Sequence, residues 1–223
     1  MRASIIDIQR VEFYTGTLEF ITLAQAKQHL RVDFTDDDTY IQSMITRCRR
    51  RIENYCLISL AWQQITVTME FDLGAAPYLR TYGTNLGVPY GTAYNAGQGP
   101  SIELPYGPIY SINSITSIAA DNSVQILDPT QFDYYIRGKQ FQRIEIENAT
   151  WSNVIMMYNT GWNVDPISHI ASPPDDLVLA ILEELAFRYE NRGDSTNKYK
   201  AQNVGLSEGA IELAGPYRRD SWL

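Results

Sequence analysis

Two adjoining stretches decide the fold class, TLAQAKQHLR at residues 22–31 and DDDTYIQSMITRCRRRIENY at residues 36–55. In the first, Thr22 and Gln25 have the spacing of a capping box, and the apolar residues that follow keep helical spacing. Thr35, just before the second stretch, suits an N-cap. The three aspartates that follow it suit the positive end of a helix dipole. Both stretches are therefore predicted as helices, and the second has an apolar stripe formed by Ile41, Met44, Ile45, Cys48, Ile52 and Tyr55.

After these helices the periodicity changes from 3.6 to 2. Residues 62–71 mix aromatic and β-branched side chains and alternate from Ile65 onward, which predicts a half-buried strand. Gly138-Lys139 is typical of a tight hairpin turn. Four further strands are predicted, at 111–119, 132–137, 140–147 and 153–159.

A segment of different composition follows the first strand. Residues 73–102 contain six glycines, a single charge (Arg80) and four tyrosines, and they show no period. A segment of this length and texture is unusual for a connection, so it is predicted to be a protruding loop. Its candidate contact residues are Tyr78, Tyr82, Tyr90 and Tyr94.

A last long helix is predicted near residues 173–192. Ser172 suits its N-cap, Pro173 its first position, and Gly193 its end. The helix has an apolar stripe formed by Leu177, Val178, Ile181, Leu182, Leu185 and Tyr189.

The remaining residues, 194–223, are predicted to form an extended C-terminal arm. The arm is polar as far as residue 207, and residues 210–213 have the pattern of one more helical turn. Its apolar, aromatic and basic residues are types that are common in interfaces, and we expect the arm to be ordered only against another protein. The alternative is a tail that folds back on its own domain. The candidate contact residues are Ile211, Leu213, Tyr217, Arg218, Arg219 and Trp222.

Together these patterns predict an α+β fold. Residues 1–59 and 173–193 form a small helical bundle, with two N-terminal helices and the long C-terminal one. Residues 60–172 form an inserted antiparallel β-rich lobe. The helices from the two ends are expected to pack together, because each has one apolar stripe to bury.

The charge balance argues against ordinary DNA binding. The net charge is −8. Residues 1–59 are neutral, residues 60–172 carry −5 and residues 173–223 carry −3. Proteins that grip DNA normally present a basic surface, because neutralised phosphates supply most of the affinity.

Catalytic and metal-binding patterns are also missing from the sequence. Cys48 and Cys56 are eight residues apart on a predicted helix, about 12 Å, which is too far for a disulfide, so both are predicted as core residues. His29 and His169 are far apart and lack a nucleophile motif. There is no G-x-S-x-G, H-E-x-x-H or C-x-x-C, and the first twenty residues lack the pattern of a secretory signal. We expect no enzymatic activity, no cofactor and no membrane association, and synthesis in the cytoplasm.

Arg47, Arg49, Arg50 and Arg51 crowd the C-terminal half of the second predicted helix. One interpretation is a solvated face that complements the negative end of the helix. The other is a binding site for an acidic partner surface, in which Arg47, Arg50 and Arg51 are the candidate residues. The sequence leaves both interpretations open.

Stretches in all three regions resemble the phage head–tail connector family. The family's opening is resembled by Ile21-Thr22-Leu23, Ala26-Lys27, Leu30-Arg31-Val32-Asp33 and Ile52-Glu53-x-Tyr55. Its middle is resembled by Leu104-Pro105-x-Gly107-Pro108-Ile109-x-Ser111-Ile112-x-Ser114-Ile115, by Trp151 and by Tyr158-x-x-Gly161-Trp162. Its last core helix is similar to Pro173–Arg192, and residues 73–102 look like an insertion.

The resemblance implies a structural virion protein located at the head–tail junction of a bacteriophage. It implies a ring, typically of 12 copies, that lies between the portal protein and the neck or tail, extends the DNA channel and completes the head. Double-stranded DNA would pass through without specific binding. The arginines and the arm would contact the portal or a neighbouring subunit, and the 73–102 loop would contact the tail side. The alternative is a nucleic-acid-binding accessory of DNA packaging, which needs the arginines to face DNA.

Overall fold

The computed structural model describes residues 2–12, 19–72, 101–118, 123–127, 134–137, 143–146, 153–165, 167–168, 170–192 and 205–218. Four α-helices and eight strands lie in these residues. The helices are α1 (Leu23–Leu30), α2 (Asp38–Cys56), α3 (Asp175–Glu190) and α4 (Glu208–Ala214), and a 3₁₀ turn (Gly215–Tyr217) follows α4. The strands are β1 (Arg2–Glu12), β2 (Gln63–Asp72), β3 (Ser101–Glu103), β4 (Ile109–Ile118), β5 (Val124–Leu127), β6 (Tyr134–Arg137), β7 (Arg143–Ile146) and β8 (Asn153–Thr160). The chain is therefore α+β, as its periodicities predict.

The chain divides into two compact units. The sheet unit comprises Met1–Val11, Gln64–Pro105 and Ile109–Asn159. The helical unit comprises Glu12–Gln63, Tyr106–Pro108 and Thr160–Leu223. This division differs from the predicted boundaries in several places. Residues 1–11 belong to the sheet unit, and residues 60–63, 106–108, 160–172 and 194–223 belong to the helical unit.

The sheet unit contains two sheets. The first has the strand order β1-β2-β8-β4-β5, and the second has the order β3-β7-β6. Strands β6 and β7 are antiparallel, with Tyr134 opposite Ile146 and Arg137 opposite Arg143. This pairing agrees with the predicted hairpin, although its turn at 138–139 lies outside the described residues. In β8 every second side chain is buried, which is the predicted period of 2.

Strands β1, β3 and β5 were not predicted. β1 forms one edge of the first sheet and β5 the other. Charged residues such as Asp7 and Arg10 interrupt the apolar pattern of β1, and edge strands often carry such charges. β3 and β5 span three and four residues, which is too short for a period to be visible. β3 also ends the predicted 73–102 loop two residues early, and residues 73–100 lie outside the described part of the chain.

In the helical unit, helices from the two ends of the chain share one core, since α3 packs against α1 and α2 and against α4. The core residues with no more than 5% exposure are Ile21, Ala26, Ile41, Met44, Ile45, Cys48, Ile52, Cys56, Ile58, Leu60, Leu177, Ala180, Ile181, Leu185, Leu206, Ala210 and Ala214. They include five of the six residues of the predicted α2 stripe, three of the six of the predicted α3 stripe, and the two cysteines.

The capping box of α1 is confirmed. The Thr22 hydroxyl accepts the Gln25 backbone N–H at 3.2 Å, and the Gln25 side-chain oxygen accepts the Thr22 N–H at 2.8 Å. For α2 the predicted cap was wrong, because the N-cap is Asp37 rather than Thr35 and its side chain does not cap the helix. The carboxylate of Asp37 instead accepts hydrogen bonds from Tyr189 and Arg192.

The predicted cap of α3 was wrong as well. The N-cap is Pro174, and no side chain caps this helix start. The backbone N–H of Ser172 donates to the carbonyl of Trp162 at 2.9 Å, so this residue closes a loop instead. The helix ends with Asn191 as C-cap, and Gly193 lies outside the described residues.

The largest difference from prediction concerns the C-terminal arm. Residues 205–218 pack on the helical unit: α4 lies against α3, and Leu206, Ala210 and Ala214 are buried in the shared core. The expected helical turn at 210–213 is present within α4. These residues therefore find their apolar partners within the same chain, and the expectation of order only against another protein was wrong for them. Residues 193–204 and 219–223 lie outside the described residues.

Candidate functional site

The arginine row of α2 divides into buried and exposed members. Arg49 is 2% exposed, the Arg51 side chain is 30% exposed, and Arg47 and Arg50 are exposed. Successive residues of a helix point in directions about 100° apart, so a row of neighbours cannot share one face. The four arginines therefore do not form a continuous basic surface. That Arg47, Arg50 and Arg51 contact a partner remains a prediction.

Arg49 lies between two glutamates in the protein interior. Its Nε and Nη2 atoms donate to the two carboxylate oxygens of Glu19, at 2.9 and 3.0 Å. Its Nη1 atom donates to Glu53 Oε2 at 2.9 Å. The side chains of Glu19, Arg49 and Glu53 are 8%, 2% and 0% exposed. Such a two-pronged contact is the arrangement that best offsets the cost of removing charges from water.

The second oxygen of Glu53 organises the chain that follows α2. Glu53 Oε1 accepts the backbone N–H groups of Leu60 and Ala61, at 2.8 and 3.1 Å, and the side-chain amide of Gln63 at 3.1 Å. One carboxylate thus holds both a helix and the segment leading to β2. We call this group the Glu53 cluster: Glu19, Arg49, Glu53, Gln63 and the backbone of Leu60 and Ala61.

Two other stretches with family resemblance meet the same segment. The Ser59 N–H donates to the carbonyl of Gly107 at 2.9 Å, and the Trp162 N–H donates to the carbonyl of Leu60 at 3.3 Å. Three parts of the chain that are far apart in sequence are therefore joined by backbone hydrogen bonds beside the Glu53 cluster. The residues in this region that resemble the family therefore have a structural role, because they join these three parts of the chain.

Gly161 is required at this junction. Its φ is 153°, a backbone conformation that side chains rarely adopt, and its N–H donates to the carbonyl of Pro108 at 3.1 Å. A Cβ atom here would collide with the Val164 side chain and come within 3.1 Å of the Ala61 carbonyl. Only glycine allows the two segments to approach this closely.

A second buried carboxylate, Glu184 on α3, fixes the start of the C-terminal segment. Its Oε1 accepts Arg51 Nε at 2.9 Å and Arg188 Nε at 2.6 Å, and its Oε2 accepts the Ser207 N–H at 2.8 Å. Both arginines also donate to the carbonyl of Gly205, at 2.6 and 3.4 Å. We call this group the Glu184 cluster: Arg51, Glu184, Arg188, and the backbone of Gly205 and Ser207.

The end of the described C-terminal segment reaches the end of α2. The guanidinium of Arg218 lies over the Tyr55 ring, 4.9 Å from its centroid. The Tyr217 ring meets Trp162 edge-on at 5.9 Å between centroids, and its hydroxyl donates to Asp176 at 3.4 Å. Burial beside Asp176 raises the pKa of Tyr217. The structure thus places two predicted contact residues, Tyr217 and Arg218, against side chains of their own chain that the sequence does not predict as contact residues.

The other predicted contact residues of this segment are placed differently. Ile211 is 39% exposed, whereas Leu213 packs in part against the core. Arg219 and Trp222 lie outside the described residues. So do the predicted loop contacts Tyr78, Tyr82, Tyr90 and Tyr94.

An exposed ionic cluster joins the start of α2 to the end of α3. Asp37 Oδ2 accepts the Tyr189 hydroxyl at 2.6 Å and Arg192 Nη1 at 2.8 Å. The Arg192 guanidinium lies 4.5 Å from the Tyr189 ring centroid and 5.8 Å from that of Tyr40. The hydrogen bonds from Tyr189 and Arg192 lower the pKa of Asp37, and the bond to Asp37 raises the pKa of Tyr189. We call Asp37, Tyr40, Tyr189 and Arg192 the Asp37 cluster.

These arrangements are contacts within the chain. Within the described residues, no group of three or more His, Cys, Asp or Glu side chains is placed to hold a metal ion. Burial raises the pKa of both Cys48 and Cys56 to about 12, so both thiols stay protonated near neutral pH. None of the helices in this part of the chain has the length and apolar character that a bilayer crossing requires.

The acidic partners of the arginines were missed in the sequence. Two pairs were visible in principle, because Arg49–Glu53 and Glu184–Arg188 have the i, i+4 spacing of helical ion pairs. The contacts of Arg49 with Glu19 and of Arg51 with Glu184 join residues 30 and 133 positions apart, and no local pattern indicates them.

Comparison with solved structures identifies proteins of the same fold. The chain is similar to a protein in the "Neck of empty GTA particle computed with C6 symmetry", with a TM-score of 0.64, 16% identity and 98% of each chain covered. It is likewise similar to one in the "Neck of native GTA particle computed with C12 symmetry", with a TM-score of 0.63, 16% identity and 98% of each chain covered. A third, from the "Virion of native gene transfer agent (GTA) particle", has a TM-score of 0.63 and 17% identity, with 97% of each chain covered.

The sequence itself gives a second, independent comparison. No curated protein matches it. Residues 20–126, which include α1, α2, strands β2 to β4 and all but the last residue of β5, match the family described as "Phage gp6-like head-tail connector protein". That family is structural and is not a class of enzymes. The resemblance to the phage head–tail connector family is therefore confirmed, over residues 20–126 of this chain.

Proposed function

We propose that this chain is a structural subunit of a virion neck, an adaptor that forms a ring between the portal and the tail and completes the head. The observation that carries the proposal is the fold likeness over 98% of both chains to a neck protein, combined with the head–tail connector match at residues 20–126. One of the neck structures has C12 symmetry, which supports a ring of 12 copies.

The contacts in the helical unit support a role that requires a rigid subunit. The Glu53 cluster ties α2 to the segment before β2, and the Glu184 cluster ties α2 and α3 to the C-terminal segment. Carboxylates fully removed from water and satisfied by several donors make a subunit rigid rather than adaptable. A ring that holds packaged DNA under pressure needs rigid subunits.

The surface we propose for the portal or a neighbouring subunit is formed by α2 and the C-terminal segment. Its described exposed residues are Arg47, Arg50, Ile211 and Arg218, and Tyr217, next to Arg218 in the chain, is partly buried. Arg51 and Leu213 support this surface from inside, through the Glu184 cluster and the core. Arg219 and Trp222 would extend it, and the tyrosines of the 73–102 loop would contact the tail side. A basic surface with an exposed isoleucine suits an acidic partner with an apolar patch.

The proposed ring extends the DNA channel without gripping DNA. The net charge of −8 disfavours sticking to phosphates. Arg49 and Arg51 are held in ion pairs with Glu19, Glu53 and Glu184, which leaves the arginine row less able to bind DNA. These contacts weigh against a nucleic-acid-binding accessory of packaging.

The proposal is tested first with virions. Removing the protein during particle assembly should give DNA-filled heads without tails when particles are viewed by electron microscopy. Labelled protein should locate to the head–tail junction of complete particles. Normal tailed particles in its absence would contradict the proposal.

A second test uses the purified chain. Mass measurement should detect a closed assembly near twelve times 25.4 kDa, either free or on the portal. DNA binding should be weak at physiological salt. Tight binding of the monomer to DNA that decreases steeply with added salt would favour the packaging accessory instead.

A further inference from the structure

A short loop between β8 and α3 presents an isoleucine to solvent. Ile167 is 89% exposed, and Ile170 is 45% exposed. Isolated exposed apolar residues are common on protein surfaces. This residue is unusual because the chain that carries it is held in place by hydrogen bonds.

The carboxylate of Asp165 holds the tip of the loop. Its Oδ1 accepts the N–H of Ile167 at 3.0 Å, and the N–H and hydroxyl of Ser168 at 2.6 and 2.9 Å. The base is closed by the Asp165 N–H, which donates to the carbonyl of Ile170 at 3.1 Å. Because these hydrogen bonds hold the backbone of Ile167 and Ser168 before binding, Ile167 loses little conformational freedom when it docks and is suited to act as an anchor.

The helical unit, which includes this loop, also contains a groove with an apolar floor. The groove lies between α1 and α3, and the lining residues are Ile21, Gln25, Gln28, His29, Val178 and Leu182. Ile21, Val178 and Leu182 supply the apolar floor, and the other three supply a polar rim. Leu179, the next residue on α3 after Val178, is 40% exposed and extends the apolar surface. A helix that is apolar beyond its core-facing stripe usually has a further surface to cover.

We propose that the Ile167 loop of one copy docks into the α1–α3 groove of the next copy. This inference rests on the proposed ring. Subunits that meet head to tail need two different, complementary surfaces on each chain. The loop offers an apolar side chain on a hydrogen-bonded tip. The groove offers an apolar floor, and its polar rim is formed by Gln25, Gln28 and His29, with Glu183 3.8 Å from His29. The second copy is the occupant that explains why both surfaces are present on one chain.

The contact is tested by disulfide cross-linking of the full chain that carries Ile167→Cys and Gln28→Cys. The native thiols Cys48 and Cys56 are buried and stay protonated, so they contribute little background. Under mild oxidation the double variant should give a ladder of cross-linked multimers on a non-reducing gel. Neither single variant alone should give a ladder, and a mixture of the two should stop at a cross-linked dimer.

The matched control is Ile167→Cys with Thr39→Cys, which moves the second thiol to an exposed position outside the groove. We expect at least about tenfold less cross-linked product, because these thiols meet only by collision. Equal ladders from both double variants would overturn the proposal. Rings of full mass that yield no ladder from Ile167→Cys with Gln28→Cys would also overturn the docking proposal. In that case the proposed neck function would stand. A chain that stays monomeric by mass, alone and with the portal, would overturn both.

A substitution provides a second measurement that does not depend on thiol chemistry. Ile167→Asp should weaken assembly at least about tenfold, the scale expected for losing one apolar anchor. Ile126→Asp, at a residue that is 76% exposed in the sheet unit, should leave assembly unchanged. Assembly of Ile167→Asp at the wild-type concentration dependence would contradict the docking.

Discussion

The Glu53 cluster and the Asp37 cluster use the same chemistry in different surroundings. Each has a carboxylate that an arginine contacts at 2.8–2.9 Å. The Glu53 side chain is fully buried, whereas the side chains of Asp37 and Arg192 are 23% and 46% exposed. Water can replace a lost partner in the Asp37 cluster but not in the Glu53 cluster. The comparison teaches that the distance between charges says little about their importance until burial is known.

The sharpest test of this comparison is Glu53→Ala. The change leaves Arg49 half-paired in the interior and removes the acceptor for the N–H groups of Leu60 and Ala61. We expect a loss of about 3–5 kcal/mol in the free energy of unfolding, measured by denaturant titration. Glu53→Gln keeps an acceptor oxygen and should lose less. A loss below about 1 kcal/mol for the alanine variant is the size expected for an exposed ion pair. It would show that burial does not make the Glu53 cluster contribute more to stability than the Asp37 cluster.

The Glu184 cluster lies between the two extremes. Glu184 is fully buried, but the side chains of Arg51 and Arg188 are 30% and 27% exposed and can recover water when it is removed. Glu184→Ala should therefore cost about 2–3 kcal/mol. The change should also speed hydrogen exchange at residues 205–218, since the Ser207 N–H loses its acceptor. The exchange of α1 serves as the internal reference, and an equal increase in both regions would contradict a local role.

A smaller effect is expected for the stacking of Arg218 on Tyr55. The contact distance is 4.9 Å and Arg218 is exposed, so Arg218→Ala should cost about 0.5–1 kcal/mol in thermal or denaturant unfolding. Arg218→Lys keeps the positive charge and should retain part of this stability. A loss as large as that of Glu184→Ala would mean that the arginine has a further role in the fold.

The smallest effect is expected for Asp37→Asn, and it should depend on pH. Hydrogen bonds from Tyr189 and Arg192 hold the pKa of Asp37 below its unfolded value of about 3.9. The stability from this shift is present above that value and is lost as the pH falls through the folded pKa. The melting temperatures of wild type and variant should therefore differ slightly at neutral pH and converge in acid. A difference that grows as the pH falls would have the wrong sign.

Local patterns were sufficient for the longer helices and for most strands, but not for β1, β3 and β5. The Thr22 capping box, the apolar stripe of α2 and the alternation in β2 and β8 depend on neighbours within four residues, so they are visible in the sequence. The caps predicted at Thr35 and Ser172 were wrong because these segments make other contacts. Asp37 binds Tyr189 and Arg192, and the Ser172 N–H donates to the carbonyl of Trp162. The edge strand β1 was missed because its charges hide its apolar alternation.

The sequence by itself determined the α+β class, the position of the main helices and strands, and the resemblance to head–tail connectors. Only the tertiary structure decided which arginines are buried and that residues 205–218 pack on their own chain. The physical reason is the range of the contacts. A helix start depends on residues three or four positions apart, whereas Arg51 meets Glu184 across 133 positions. Such a partner becomes identifiable only when α2 and α3 are packed together.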